Sequence, residues 1–122
     1  MQPRFRLHRT SDIQRVRRIG KSYAHPLLVL VAAKGIPPAR RVAVSAGKRV
    51  GGAVQRNRAK RRLREAVRPL MDSLAEGWDL LLVARPGAVT ADYADLAGAV
   101  RLLFQKAGVL DDHDEHPARA GG

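Results

Sequence analysis

Between Ala53 and Leu74 the apolar residues Ala59, Leu63, Ala66, Val67, Leu70 and Leu74 return every three or four positions, the period of an α-helix with one face docked on a core. Pro69 interrupts this stretch, and because the stripe continues past it the pattern predicts a helix kinked at Pro69 and running to about Glu76. A second helical stripe, Tyr93, Leu96, Ala97, Val100, Leu103 and Phe104, predicts a core helix capped by Thr90 and closed by Gly108. Ser11-Asp12-Ile13-Gln14 has the spacing of a capping box and predicts a short first helix ending before Gly20. Its apolar edge is only Ile13 and Val16, with Arg15, Arg17 and Arg18 crowding the rest, so loose packing and a surface left for a ligand are expected.

Strand patterns occupy the intervals. Leu27 to Ala33 is continuously apolar, as in a strand buried on both faces, and Trp78 to Ala84 reads the same way. Val42, Val44 and Ala46 alternate with Ala43 and Ser45, giving a strand with two unlike faces. The turn Lys34-Gly35-Ile36-Pro37-Pro38 between two of these strands predicts that they pair as a hairpin, and Ser22 to Ala24 allows a further short strand. The order is α-β-β-(β)-α-β-α, an α+β fold forming a two-layer sandwich of sheet and helices. One domain over residues 1–110 follows, opening on a basic extended arm at residues 1–9 and followed by a polar, acidic tail at 111–122 expected to be disordered. There is no internal repeat or linker.

Charge changes this picture most. The formal charge is +12 with a pI near 11.5, and residues 1–68 hold 19 of the 23 Lys and Arg against only Asp12 and Glu65. That asymmetry indicates a polyanionic partner and places the surface that meets it in the first half of the chain. On the predicted central helix Asn57, Lys60, Arg61, Arg64 and Arg68 lie opposite the apolar stripe, flanked by Arg58 and Arg62. Like charges at that spacing repel by a few tenths of a kcal/mol per pair, roughly, so a helix shaped only for stability would interleave acids. A row of guanidinium forks suits phosphate oxygens. The ordinary alternative is a solvated basic face. Gly47, Gly51 and Gly52 ahead of the helix spare a Cβ where a phosphate would approach.

The basic positions spread over an arm, a first helix, Lys48 and Arg49, and the central helix, which suits a folded RNA better than a linear duplex. Asn57 adds an amide that both donates and accepts. With two Phe, two Tyr and one Trp, base stacking is not the main binding mode.

No catalytic constellation can be assembled. His8 and His25 lack a carboxylate or nucleophile at a motif spacing, and His113 and His116 stand in the acidic tail, where incidental composition is the simpler account than a metal site. Gly20-Lys21-Ser22 fails as a phosphate loop because Arg15 occupies the required glycine position. Catalytic and metal-ligating residues are therefore expected to be absent. The chain has no cysteine, no apolar run near ~18 residues and no signal-peptide pattern, so a cytoplasmic location with no membrane partner is expected.

Gly47-Lys48-Arg49-Val50-Gly51, followed by Ala53-Val54 and then by Arg56-Asn57-Arg58, Lys60-Arg61-Arg62-Leu63-Arg64-Glu65, closely resembles the Arg-Asn-Arg signature of bacterial ribonuclease P protein subunits. Asp12, Gly20, the Ser45 strand and Asp79 through Arg85-Pro86 extend the resemblance over about residues 5–107. It implies a left-handed crossover through the signature helix, a ribosomal-protein-S5-domain-2-like arrangement. It also implies that Lys48, Arg49, Arg56, Asn57, Arg58, Lys60, Arg61, Arg62, Arg64 and Arg68 bind the catalytic RNA. A cleft between the first helix and the sheet, here at Ile13, Arg17 and Val31, would receive the 5′ leader of precursor tRNA. The family often has aromatics in that cleft, so leader binding here would rely more on arginine than on stacking. The protein would assist endonucleolytic removal of the leader, with Mg2+ held mainly by the RNA subunit and no protein partner. Two alternatives stand beside it: a ribosomal-type structural RNA-binding protein without a role in cleavage, and a protein-only nuclease.

Overall fold

A computed structural model describes Leu7 and residues 10–111. Apart from Leu7, the arm at 1–9 lies outside the described residues, as does the acidic tail beyond Asp111. Within them the chain forms α1 (Thr10–Ile19), β1 (Lys21–Ala24), β2 (Leu28–Lys34), β3 (Arg40–Ala46), α2 (Ala53–Val67), β4 (Trp78–Ala84) and α3 (Tyr93–Ala107). Short 3-10 turns occupy Lys48–Val50, Arg68–Ser73 and Pro86–Ala88.

The four strands run in the order β1-β2-β4-β3, with β4 antiparallel to β2 and parallel to β3. The expected hairpin between β2 and β3 does not form, because β4 lies between them. Leu80, Leu81 and Leu82 are all fully buried, so β4 needs cover on both faces and takes the interior of the sheet. β3 begins with Arg40 and Arg41, which an edge accommodates. Joining β3 to a parallel β4 then requires a crossover, and α2 is that crossover.

On one sheet face Leu28, Leu30, Val42, Leu80 and Leu82 pack against Ala59, Leu63, Ala66 and Val67 of α2 and Leu96, Val100, Leu103 and Phe104 of α3. This is the sandwich the patterns call for. The opposite face adds a partial layer, in which Val31, Ala33, Ala43 and Leu81 pack against Val16 of α1 and Leu7. The Leu7 N–H donates to the Val42 carbonyl at 2.9 Å, tying the start of the chain to the outer edge of β3.

Three helix ends differ from the pattern's expectation. Ser11 is the second residue of α1 and so is not its cap. At Pro69 there is no kinked continuation: α2 ends at Val67 and the backbone tightens into the 3-10 turn Arg68–Ser73. Proline offers no N–H to the α-helical ladder, yet the tighter turn still buries Leu70 and Leu74. Thr90 belongs to the turn before α3, its N–H donating to the Gly87 carbonyl, and Asp92 takes the cap position without a side-chain bond. Tyr93, at the first residue of the helix, is exposed. Gly108 closes α3 in the left-handed region, as its position predicts.

Gly20 sets the approach of α1 to the sheet. A Cβ there would stand 2.6 Å from both the Val16 carbonyl oxygen and Val31 Cγ1. Gly20→Ala is therefore expected to destabilise the fold by about 1–3 kcal/mol through overpacking, read as a lower urea midpoint. An unchanged midpoint would mean that α1 is not seated this closely.

Candidate nucleic-acid interface

The α2 helix turns Ala59, Leu63, Ala66 and Val67 inward, and the same 3.6-residue period turns Asn57, Arg61 and Arg68 outward into solvent. Arg58 is exposed on one flank, while Lys60 and Arg64 are half-buried. Lys48 and Arg49 stand exposed on the 3-10 turn that leads into the helix. Gly51 joins that turn to α2 at φ 141°, where a Cβ would stand 2.9 Å from the Gln55 Cβ, so the chain's own turn requires this glycine. At Gly47 a Cβ would meet nothing within 4 Å, which leaves open space beside Lys48.

The side chains of Lys48, Arg49, Asn57, Lys60 and Arg61 make no hydrogen bond or ion pair among the described residues. Arg56 and Arg58 do bond inward, each through Nε alone: to the Ala46 carbonyl at 3.1 Å and to the Val89 carbonyl at 3.1 Å. A neutral carbonyl orients a guanidinium without cancelling its charge, so both keep their charge and their terminal nitrogens for a partner. Arg68 pairs with Glu65 at 3.1 Å on the exposed surface, where such a pair is weak. Arg62 differs. Its Nη1 donates to the carbonyls of Ala88 at 2.7 Å and Val89 at 2.9 Å, and its Nη2 to that of Ala91, so its fork faces the protein itself.

The cleft beside α1 has a different floor from the one the resemblance suggests. Val31 is 7% exposed and lies under α1 in the smaller core, with Ile13 half-buried against it. Arg17 is exposed and reaches the Ser45 hydroxyl with Nη2 at 3.4 Å. One row further along the sheet, Val29, Val83 and Ser45 lie side by side in register on that face and are only partly covered. From this row an open groove of about 580 Å³ extends, lined by Val29, Val83, Gly47, Arg49, Arg85 and Pro86 among others. Val29 lies two residues from Val31 and so shares its face. Only the point where α1 stops decides which of the two is open. Arg49 and Arg85 place two exposed cations on the rim, and Arg49 also belongs to the basic surface running into α2.

An ion-pair cluster that the hydrophobic pattern does not show locks α1 in place. Asp79 on β4 is 0% exposed and accepts from Arg41 Nε and Nη2, each at 3.0 Å, and from Arg15 of α1. Arg15 also donates to the Lys34 carbonyl at 3.0 Å, and Arg41 reaches Asp12 at 3.5 Å. The Asp79 hydrogen bond is the main reason that the Arg41 pKa is raised above the ordinary arginine value. The expectation of a loosely packed first helix is therefore corrected: the arginine that crowds its sequence is a bolt to the sheet.

His25 is part of a turn, its Nδ1 accepting from the Leu27 N–H at 3.0 Å. Among the described residues no group of His, Asp or Glu is arranged to hold a metal ion, and no helix is long and apolar enough to cross a membrane.

Comparison with known proteins bears on the family and the fold. The family model Ribonuclease P matches residues 1–108. The ribonuclease P protein component of Herpetosiphon aurantiacus is 38% identical over 115 residues, covering 94% of each chain. That of a Roseiflexus species is 38% identical over 122 residues, covering 99% of this chain and 100% of the relative. Among solved structures, a Staphylococcus aureus RNase P protein mutant superposes with TM-score 0.78 at 24% identity, covering 87% of this chain and 90% of that one. The Thermotoga maritima RNase P protein superposes with TM-score 0.72 at 23% identity, covering 82% and 96%. These two likenesses concern the fold.

Proposed function

This chain belongs to the ribonuclease P protein family, and from that premise we propose how its two surfaces divide the work of removing the 5′ leader from precursor tRNA. The outward face of α2 with the turn before it, through Lys48, Arg49, Arg56, Asn57, Arg58, Lys60, Arg61, Arg64 and Arg68, binds the phosphate backbone of the catalytic RNA. The groove over Val29 and Val83, rimmed by Arg49 and Arg85 and with Arg17 nearby at Ser45, receives the single-stranded leader. Apolar floor and guanidinium rim suit an unpaired strand, since bases lie on the first and phosphates meet the second. The observation that carries the reading is the continuity of an exposed basic face, uncancelled along most of its length, with an open groove at Arg49.

Among the described residues no group fits the magnesium that the family implies. Asp12 and Asp79, the carboxylates nearest α1 and the sheet, are engaged by arginines. In this reading the ion and the hydrolytic chemistry belong to the RNA subunit, and the protein contributes binding and orientation. Work on precursor tRNA places it in the cytoplasm.

Reconstitution tests the proposal. At low magnesium, adding the protein to its cognate RNA subunit is expected to accelerate leader removal, while protein alone cuts nothing. Absence of acceleration would support a structural RNA-binding role instead, and cleavage that survives removal of all RNA would support a protein-only nuclease. If about six of the named cations neutralise phosphates, log affinity for the RNA subunit falls with log salt at a slope of about −4 to −5. A slope near zero in a filter-binding titration would contradict the surface assignment.

A further inference from the structure

Arg62 sits on the signature helix but does not face outward with its neighbours. Its guanidinium points at three carbonyls, those of Ala88, Val89 and Ala91, and Arg58 Nε adds a second donor to Val89. These carbonyls end a tight run of turns. The N–H groups of Ala88, Val89 and Thr90 donate back to Arg85, Pro86 and Gly87, which leaves the last carbonyls of the run without a following turn to donate to them. Arg62 therefore caps this segment from outside, as a cation at the carbonyl end of a helical turn does. At its other end, the segment is held by the Arg85 N–H donating to the Leu27 carbonyl at 3.0 Å. Between those two anchors lie Arg85 and Pro86, which form one wall of the groove.

We infer that Arg62 is a positioning residue for the leader: by clamping the carbonyls of 88, 89 and 91 onto α2 it holds Arg85 and Pro86 at the groove and so joins the RNA-binding helix to the leader-binding wall. The inference rests on the groove receiving the leader, as proposed above. It assigns Arg62 a role distinct from that of the phosphate-facing cations on the same helix. The planar fork matters, because its two terminal nitrogens reach separate carbonyls in fixed directions, whereas an ammonium presents all its donors from one point.

The test uses the reconstituted holoenzyme and three dissociation constants: for precursor tRNA with its leader, for mature tRNA without it, and of the protein for the RNA subunit. The leader advantage is the ratio of the first two. Arg62→Gln is expected to reduce this advantage by about fivefold, close to 1 kcal/mol, with mature tRNA binding and subunit assembly unchanged within about twofold. Arg85→Ala should produce a similar loss, and the double variant little more than either alone, since both act through one wall. Should Arg62→Gln fail to fold by circular dichroism, Arg62→Lys serves, with a smaller loss of the same kind expected. An undiminished leader advantage, or losses that add fully in the double variant, would overturn the clamp. Weakened assembly with the leader advantage intact would make Arg62 an ordinary phosphate contact. A native enzyme without any leader advantage is a different result: it removes the groove assignment itself.

Discussion

Replacing Arg58 and Arg61 together by Glu is expected to weaken association with the RNA subunit by roughly 100-fold at moderate salt. Each charge-assisted bond to a phosphate contributes about 1.5 kcal/mol or more, and losing two gives about 3 kcal/mol before any repulsion is counted. The geometry favours this pair. Both residues are exposed, and Arg61 makes no side-chain hydrogen bond or ion pair among the described residues, so its replacement disturbs little within the fold. Arg58 has one inward bond, from Nε to the Val89 carbonyl. Arg61→Glu alone is thus the cleaner half of the experiment and should supply at least about tenfold of the loss. The slope of log affinity against log salt should also become shallower by about two, one contact per arginine. Native affinity and an unaltered slope in the double variant would take the outer face of α2 out of the interface.

The second large effect concerns stability. Asp79→Ala is expected to cost about 2–4 kcal/mol, below the upper range for breaking a buried ion pair. Removing the carboxylate leaves Arg15 and Arg41 converging on the site between α1, β3 and β4 with Asp12, 3.5 Å from Arg41, as the remaining acid. The discount from the full penalty has a structural reason: both arginine side chains are 29% exposed and can recover some hydration by turning outward. The measurement is urea unfolding followed by far-UV circular dichroism, with the loss read as a lower midpoint at unchanged slope. A shift of less than about 0.5 kcal/mol, typical of surface substitutions, would show that α1 is held by Val16 and Leu7 alone.

Much of this molecule is legible from local periodicity. The stripe Ala59, Leu63, Ala66 and Val67 is buried as read, and Leu96, Val100, Leu103 and Phe104 are buried too, so both large helices and their inner faces follow from spacing alone. The strands lie within a residue of where continuous or alternating apolar runs place them. Pairing was not legible, because Leu27 to Ala33 and Trp78 to Ala84 are equally apolar and no short-range signal says which of them β3 joins. That Val29 is open while Val31 is buried was not legible either: residues two apart share a face, and only the end of α1 distinguishes them.

The sequence by itself determined the helical and extended segments, the basic half of the chain, and the family through an ordered run of glycines, arginines and one asparagine. Each of these depends on neighbours within a few turns of the chain, where side-chain spacing converts directly into direction. Only the tertiary structure decided which arginines face solvent and which face the protein. Arg61 and Arg62 are adjacent and chemically identical, yet Arg61 meets solvent while Arg62 meets three carbonyls brought from 26 to 29 residues away. Charge is written in the sequence; the acceptor it reaches is set by the long-range packing that brings the 88–91 turn against α2.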